Sequence, residues 1–247
     1  MALLTASHLA KSYRRRGRPE TVVLANVSLA VERGSFVGLT GPSGSGKSTL
    51  LALLGGLDRP TRGHVSFDGQ DLAGLSEAAL TRVRRRFGFV FQNPSLIAGL
   101  PVWENVTYGL IPAGVPRRQR RRLGQSLLDR VALGNMADNL PLLLSGGEMQ
   151  RVTIARALAA EPEVVIADEP TASLDPEAGA SVAALFRAVH HSGVTVIVAS
   201  HDPGLLVSAT RGFALAAGTL AGLVTGVPLE VPGVRAVATP WNSIRDA

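Results

Sequence analysis

Apolar residues recur along this chain in two spacings, one typical of strands and one typical of helices. Short apolar runs predict strands at residues 3–9, 22–31, 35–40, 63–67, 87–91, 164–167 and 194–199. Helical spacing predicts helices near residues 50–54, 76–86, 103–109, 117–133, 147–160 and 177–191. Strands and helices that alternate in this way indicate an α/β fold with a mostly parallel sheet, because parallel neighbours need a crossover connection.

The segment Phe213 to Val227 is the best candidate for a membrane span. It is about 15 residues long, whereas a spanning helix needs roughly 20 apolar residues. Its regularly spaced glycines predict short strands and a hairpin around Gly218, so we expect no transmembrane segment. The tail over residues 226–247 has no clear period and predicts no element. The first ten residues lack the basic start and the apolar run of a signal peptide.

Composition narrows the class of protein. The chain has 247 residues, of which 46% are hydrophobic, enough for one large α/β domain with a sizeable core. It has no cysteine, which excludes disulfides and thiolate metal sites and fits a reducing cytoplasm. The net charge of +6 comes with arginine clusters at residues 14–16, 82–86 and 117–122. Such clusters suit nucleic acid, a phospholipid surface or an acidic partner, and equally a solvated helix face.

Lysine is rare among the basic residues. Of 25 lysines and arginines, only Lys11 and Lys47 are lysines. In a chain that favours arginine this strongly, a lysine indicates a place where the planar guanidinium does not fit.

The first candidate chemistry lies between the strand at 35–40 and the helix that follows. The sequence there reads Gly-x4-Gly-Lys-Ser, a Walker A loop in its required strand–loop–helix setting. Backbone N–H groups of such a loop form an anion site, with Lys47 at the β- and γ-phosphates and the Ser48 hydroxyl at Mg²⁺. The predicted nucleotide-binding residues are Gly41, Pro42, Ser43, Gly44, Ser45, Gly46, Lys47, Ser48 and Thr49.

A second candidate is the pair of carboxylates after the apolar run at 164–167. Asp168 ends a buried strand, where it could orient Mg²⁺ or its water. Glu169 would then position and polarise the attacking water. Taken alone, an Asp-Glu pair after an apolar strand is better explained as a solvated strand end.

A third candidate is Ser145-Gly146-Gly147-Glu148, which runs into a predicted helix. Small residues before a helix N-terminus leave a hydroxyl and bare N–H groups facing outward, which suits an anion. The spacing of Ser145 and Glu148 is also that of an ordinary capping box, and both interpretations can hold together.

With the other two motifs, this segment resembles the signature sequence of ABC ATPases, and four further elements follow the order of that family. Tyr13 resembles the aromatic residue that stacks on adenine, and Gln92 the Q-loop glutamine that touches Mg²⁺ and senses the permease. Asp175, in Ser-Leu-Asp, resembles the D-loop at the dimer interface, and His201 resembles the switch histidine that contacts the γ-phosphate.

The resemblance implies a P-loop NTPase fold: a RecA-like, mostly parallel core with an N-terminal antiparallel β subdomain and an inserted α-helical subdomain. Residues 1–247 would form a single domain. Its parts would be 1–92 and 161–225 as the core with the β subdomain, 93–160 as the helical subdomain with the signature, and 226–247 as the tail.

Within the family, the Q-loop region and the signature look most like the ATPases of macrolide-type exporters, lipoprotein-release complexes and the cell-division ABC complex. Two departures are Met149, where glutamine is common, and Thr171-Ala-Ser173, where Thr-Gly-Asn is often seen.

The resemblance also implies a mechanism. Two copies would meet head to tail around two ATP, with Ser145 and Gly147 of one copy capping the nucleotide of the other. The implied catalytic residues are Glu169, His201, Lys47 and Gln92. The implied Mg²⁺ ligands are Ser48, Gln92 and Asp168.

The implied partner is a separate membrane permease, whose coupling helix would lie against Leu96, Ile97 and Leu100 at the cytoplasmic face of the cell membrane. We expect no nucleic-acid partner, because chromosome-maintenance and repair ATPases of this family carry coiled coils, zinc modules or tandem cassettes that do not fit in 247 cysteine-free residues. A signalling role of the cell-division type stays open as an alternative to transport.

Overall fold

The computed structural model describes residues 2–14, 17 and 19–223 of the chain. The predicted tail over residues 226–247 therefore lies outside the described residues.

Ten strands and seven α-helices make up the described part of the chain. The strands are β1 (Ala2–Tyr13), β2 (Thr21–Glu32), β3 (Phe36–Thr40), β4 (Arg62–Phe67), β5 (Gln70–Asp71), β6 (Phe87–Val90), β7 (Val164–Asp168), β8 (Thr195–Ala199), β9 (Arg211–Ala216) and β10 (Thr219–Leu223). The helices are α1 (Lys47–Leu54), α2 (Glu77–Arg84), α3 (Val102–Thr107), α4 (Arg117–Arg130), α5 (Gly146–Leu158), α6 (Pro176–His191) and α7 (Pro203–Leu206). Three 3₁₀ helices lie at Tyr108–Ala113, Gly134–Met136 and Pro141–Leu143.

The predicted strands and helices are all present, with ends shifted by a few residues. The pattern did not predict β5 or α7, which are too short to show a period. The hairpin expected around Gly218 is formed by β9 and β10, with Gly218 at φ 72 in the turn. Within residues 2–14, 17 and 19–223, no helix has the length and hydropathy that a membrane span requires.

All ten strands form one sheet in the order β5-β4-β1-β2-β10-β9-β3-β8-β7-β6. The strands β3, β8, β7 and β6 run parallel to one another, whereas β1, β2, β4 and β5 pair antiparallel. Residues between β6 and β7 form the helices α3, α4 and α5. This arrangement confirms the predicted α/β fold with a parallel core, an antiparallel N-terminal part and an inserted helical part.

The parallel strands are buried on both faces, which explains their continuous apolar runs. In β7, Val165 belongs to the apolar cluster that packs under α3 to α6, while its neighbours Val164 and Ile166 belong to the cluster under α1 and the antiparallel strands. In β8, Val196 and Ile197 divide in the same way. The sheet therefore separates two apolar cores, which pack on its two faces and fix the carboxyl ends of the parallel strands.

The antiparallel part is tied to the core by a network of four charged side chains. Arg33 Nη1 lies 2.5 Å from Glu163 Oε2, and Arg86 Nη2 lies 2.7 Å from Asp68 Oδ2. Arg86 Nε also pairs with Glu163, and Arg33 Nη2 with Asp68. The hydrogen bond from Arg86, helped by Arg33, holds the pKa of Glu163 below its ordinary value although partial burial opposes this.

Replacing Glu163 with glutamine is expected to lower the free energy of unfolding by about 1 kcal/mol at pH 7 and low salt. Because the pKa of Glu163 is lowered in the folded state, its contribution is present above its ordinary pKa of 4.5 and is lost as the pH falls through the folded value. Urea unfolding at pH 7 and at about pH 4, with and without salt, measures this difference. Glu77→Gln, at a side chain 68% exposed, is the matched control and should have the smaller effect. An equal loss at both pH values would contradict the assignment.

Candidate active site

The carboxyl ends of four neighbouring strands bring the predicted catalytic side chains together. Lys47 follows β3 and His201 follows β8. Asp168 ends β7, Glu169 comes directly after it, and Gln92 follows β6. The strand order β3-β8-β7-β6 makes these ends adjacent, although the residues are far apart along the chain. A crevice at the carboxyl edge of a parallel sheet is where open α/β folds bind ligands.

The glycine-rich loop before α1 depends on backbone conformations that other residues rarely adopt. Gly41, Gly44 and Gly46 have φ angles of 142, 77 and 104. A side chain at Gly41 would also clash with the carbonyl oxygen of Leu215. Gly46 caps α1 without a side-chain hydrogen bond, and the first turn of α1 contains no acidic residue. The N–H groups there remain available to an anion.

Lys47 occupies the centre of this loop and is 8% exposed. Its ammonium donates to the carbonyl oxygens of Gly41 at 2.7 Å and Pro42 at 3.4 Å. Its Nζ also lies 3.2 Å from His201 Nε2 and 3.6 Å from Glu169 Oε1. The ammonium is thus held at the mouth of the loop, beside the two residues predicted to act on water and phosphate.

Glu169 is fixed in place by its backbone. Its φ of 46 is unusual for a residue with a side chain, and its N–H donates to the carbonyl oxygen of Ala199 at 2.8 Å. Its Oε1 lies 3.4 Å from Nε2 of His201. That nitrogen can accept from Lys47 or donate to Glu169, and its proton decides which. Such strained backbone positions are common at catalytic sites.

The three predicted metal ligands offer oxygen atoms that suit Mg²⁺. Asp168 Oδ1 is buried and has no hydrogen-bond partner within the described residues, as a carboxylate that awaits a cation or its water would. Ser48 is exposed in the first turn of α1, and Gln92 is exposed after β6. Hydroxyl, carboxylate and amide oxygens suit Mg²⁺, which keeps several waters and binds few protein groups. Among the described residues, no group of three or more acidic, histidine or cysteine side chains is arranged to hold a metal ion.

These residues line one cleft of about 2160 Å³. The predicted site residues in its wall are Ser43, Gly44, Ser45, Gly46, Lys47, Ser48, Thr49, Gln92, Asp168, Glu169, Asp175 and His201. Gly41 and Pro42 do not line the cleft, but their carbonyl oxygens accept hydrogen bonds from Lys47. Asp175 is the N-cap of α6, and its Oδ1 accepts from the backbone N–H of Glu177 and Ala178.

The segment Ser145 to Glu148 does not line this cleft within its own copy. Ser145 and Glu148 form a capping box at the start of α5. The capping-box interpretation of this spacing is therefore confirmed. Hydrogen bonds from the backbone and hydroxyl of Ser145 lower the pKa of Glu148. Ser145 and Gly146 are exposed, and a side chain at Gly147 would crowd Ala178 of α6. The helix start is therefore open to a partner outside the chain.

Tyr13 also lies outside the residues that line the cleft. It is the last residue of β1, is 41% exposed, and its hydroxyl donates to Asp58 Oδ2 at 2.9 Å. The sequence had pointed to Tyr13 but not to Asp58.

The loop after β6 is held by residues that the sequence had not assigned. Gln150 Nε2 donates to the carbonyl oxygen of Phe91 at 3.2 Å, and Arg156 Nη1 to that of Ser95 at 2.7 Å. Asn105 is 1% exposed and clamps the following turn, because its side chain bonds both the N–H and the carbonyl of Ile97. A buried asparagine in a helix is the one sequence feature that could have suggested this clamp.

The chain is similar to proteins of the ABC transporter family. A family model described as ABC transporter matches residues 24–172. The macrolide export ATP-binding/permease protein MacB of Rhodospirillum rubrum is 48% identical over 193 residues, which cover 78% of this chain and 30% of that protein. An uncharacterized ABC transporter ATP-binding protein of Thermotoga maritima is 46% identical over 187 residues, covering 75% of this chain and 80% of that protein. The chain thus spans less than a third of the MacB relative.

Solved structures show the same fold. The dimeric ATP-binding cassette MJ0796, in a post-hydrolysis state bound to ADP and Pi, is similar with a TM-score of 0.82 and 37% identity, covering 89% of this chain and 98% of that one. The cassette cbiO1 of Clostridium perfringens, part of the ABC transporter complex cbiONQ, has a TM-score of 0.78 and 28% identity, covering 89% and 87% of the two chains.

Proposed function

The chain belongs to the ABC transporter family as an ATPase, and from this premise we propose that it hydrolyses ATP between two of its own copies to drive a separate membrane permease. The MacB relative, which is named as a macrolide export ATP-binding/permease protein, supports an export system. The complex would place this chain at the cytoplasmic face of the cell membrane.

One observation carries the proposal. Lys47, Glu169 and His201 converge within 3.2 to 3.6 Å of one another's polar atoms, beside a helix start whose N–H groups lack a side-chain cap. Phosphoryl transfer requires positioning and charge neutralisation more than covalent chemistry, and this arrangement offers both. An ordinary strand end would not gather a buried lysine, a carboxylate and a histidine around an open anion site.

Each residue then has a role in hydrolysis. Lys47 and the loop amides would bind the β- and γ-phosphates, Glu169 would hold and polarise the attacking water, and His201 would contact the γ-phosphate. Ser48, Asp168 and Gln92 would hold Mg²⁺, which neutralises phosphate charge when bound. The base would stack on Tyr13.

The second copy is needed because the cleft is incomplete in one. Ser145 and Gly146 expose a capped helix start that does not line the chain's own cleft, and its N–H groups suit a γ-phosphate held by another molecule. The similar cassette MJ0796 is a dimer with ADP and Pi. Bound ATP would bridge the two copies, and hydrolysis would remove the bridge.

The permease would dock beside the loop after β6. Ile97 is 39% exposed and Phe91 is 46% exposed, whereas Leu96 and Leu100 are half-buried and Leu96 packs against the core of the helical part. Of the three expected residues, Ile97 therefore offers the most accessible apolar surface. Asn105 keeps this turn in a single shape, which suits a docking surface.

Ile97→Asp is expected to abolish co-purification of an integral membrane protein with the tagged chain, and to leave the Kd for ATP unchanged. A charge buried in an apolar interface is costly, and Ile97 does not line the cleft that contains the phosphate loop. Leu142→Asp, at a side chain 90% exposed, is the matched control. The measurements are mass spectrometry of detergent-solubilised complexes and ATP titration. Normal co-purification of the Ile97 variant would overturn this docking site, and stimulation of the ATPase by DNA instead of by the membrane partner would overturn the transport proposal.

A further inference from the structure

Lys11 is one of only two lysines in the chain, and the proposed catalytic roles explain only the other. The Lys11 side chain is 12% exposed. Its ammonium donates to Asp58 Oδ1 at 2.8 Å and to the carbonyl oxygen of Arg59 at 2.7 Å, and lies over the ring of Tyr13, 4.8 Å from the centroid. Three different acceptors around one nitrogen suit a compact ammonium with three donors better than a planar guanidinium.

Asp58 joins this lysine to the tyrosine. Its Oδ1 accepts from Lys11 and from the backbone N–H of Arg59, and its Oδ2 accepts from the Tyr13 hydroxyl at 2.9 Å. Burial by itself would raise the pKa of Asp58, but the hydrogen bonds from Lys11, Tyr13 and Arg59 hold it below its ordinary value. The carboxylate is therefore ionised at neutral pH and able to hold both partners.

The three side chains also link the tyrosine to the phosphate loop. Asp58 belongs to the turn after α1, where its N–H and that of Leu57 donate to the carbonyl oxygen of Ala52. The start of the same helix is the predicted phosphate site. On the other side, Tyr13 pairs with Thr21 in β2, and Val23, two residues further along β2, lines the cleft. Two strand residues span about 7 Å, so Tyr13 lies close to a residue that lines the cleft.

The Tyr13 ring is held in a way that leaves room for one more flat group. The Lys11 ammonium covers one face and Asp58 holds the hydroxyl. The residue is nevertheless 41% exposed. An aromatic ring fixed at its edge and covered on one face presents its other face to a stacking partner at little cost in side-chain entropy.

We propose that Lys11 and Asp58 are positioning residues that hold the Tyr13 ring in the orientation in which it stacks on the base of the bound nucleotide. The inference rests on the proposed function, because it takes the base to lie on Tyr13. Neither Lys11 nor Asp58 lines the cleft, so both would act through the tyrosine.

The test compares a ligand that has a base with one that has none. Tyr13→Phe, which keeps the ring and removes the hydroxyl, is expected to raise the Kd for ATP about three- to tenfold, the size of one lost hydrogen bond. Asp58→Asn should raise the Kd for ATP by a similar factor. The Kd for tripolyphosphate should be unchanged in both, because the phosphate loop is intact. Titration calorimetry with Mg²⁺ measures both constants on the full chain. Tyr108→Phe makes the same substitution at the second of the chain's two tyrosines, 48% exposed, and should change neither.

Three other results would overturn the inference. If the Kd values for ATP and for tripolyphosphate rise by the same factor, Lys11, Asp58 and Tyr13 only support the fold. If Tyr13→Phe and Asp58→Asn leave the Kd for ATP unchanged while Tyr13→Ala raises it, the ring stacks without being positioned, and only this inference fails. If Tyr13→Ala also leaves it unchanged, the base does not lie on Tyr13, and that part of the proposed function fails with it.

Discussion

Glu169→Gln is expected to bind ATP normally, to lose about 10²–10⁴-fold in the rate of hydrolysis, and to accumulate as an ATP-bound dimer. The amide keeps the size and the backbone position of the side chain, which the Glu169 N–H to Ala199 hydrogen bond fixes independently. It removes the charge that lies 3.6 Å from Lys47 Nζ and 3.4 Å from His201 Nε2 and that would polarise the water. With the chemical step blocked, the bridge between two copies persists.

Sedimentation or size-exclusion chromatography in Mg²⁺ and ATP, together with phosphate release, measures both effects. Glu32→Gln changes the exposed carboxylate at the end of β2, outside the cleft, and should behave as the unchanged protein. A Glu169→Gln protein that stays monomeric in ATP would contradict the proposed dimer. One that hydrolyses ATP at the original rate would contradict the role of the carboxylate.

Lys47→Ala is expected to raise the Kd for ATP by about 10- to 150-fold, the range that corresponds to the loss of a charged hydrogen bond worth about 1.5–3 kcal/mol. Lys47 is 8% exposed, and no second lysine or arginine follows it within the loop or α1. The remaining loop amides would still bind phosphate, but without the cation that faces them.

Lys47→Arg separates charge from shape. It keeps the positive charge, yet the larger planar group does not fit a pocket in which the ammonium is enclosed by Gly41, Pro42, His201 and Glu169. We expect it to bind ATP nearly as poorly as the alanine variant. Titration calorimetry measures the Kd, and thermal unfolding shows whether each variant is folded. Arg118→Ala, at an exposed residue of α4, controls for the loss of a positive charge elsewhere. An unchanged ATP affinity in Lys47→Ala would contradict the assignment of the phosphate loop.

Local features of the site could be read from the sequence because they are local in the chain. The phosphate loop needs three glycines with positive φ within six residues, followed by a helix. All of these residues are contiguous in the sequence, so the motif is visible there. The capping box of Ser145 and Glu148 spans four residues and forms as the spacing predicts. The strands of the parallel core were recognised because burial on both faces makes them continuously apolar.

Partners far apart in the chain could not be read in this way. Nothing near Tyr13 indicates that its hydroxyl bonds Asp58, 45 residues away. The four-residue charge network joins Arg33 to Glu163 across 130 residues. Each of these contacts depends on which strands are neighbours and in what register, and hydrophobic periodicity records only which face of a strand is buried.

The sequence alone determined the fold class, the chemistry of the phosphate loop and the set of residues able to serve it. Only the tertiary structure decided which of them meet. The strand order β3-β8-β7-β6 places Lys47 beside His201, 154 residues away, while Ser145 does not line the cleft of its own chain. The physical reason is that side-chain chemistry and backbone preference are properties of short segments, whereas proximity is set by the packing of the whole sheet between its two cores.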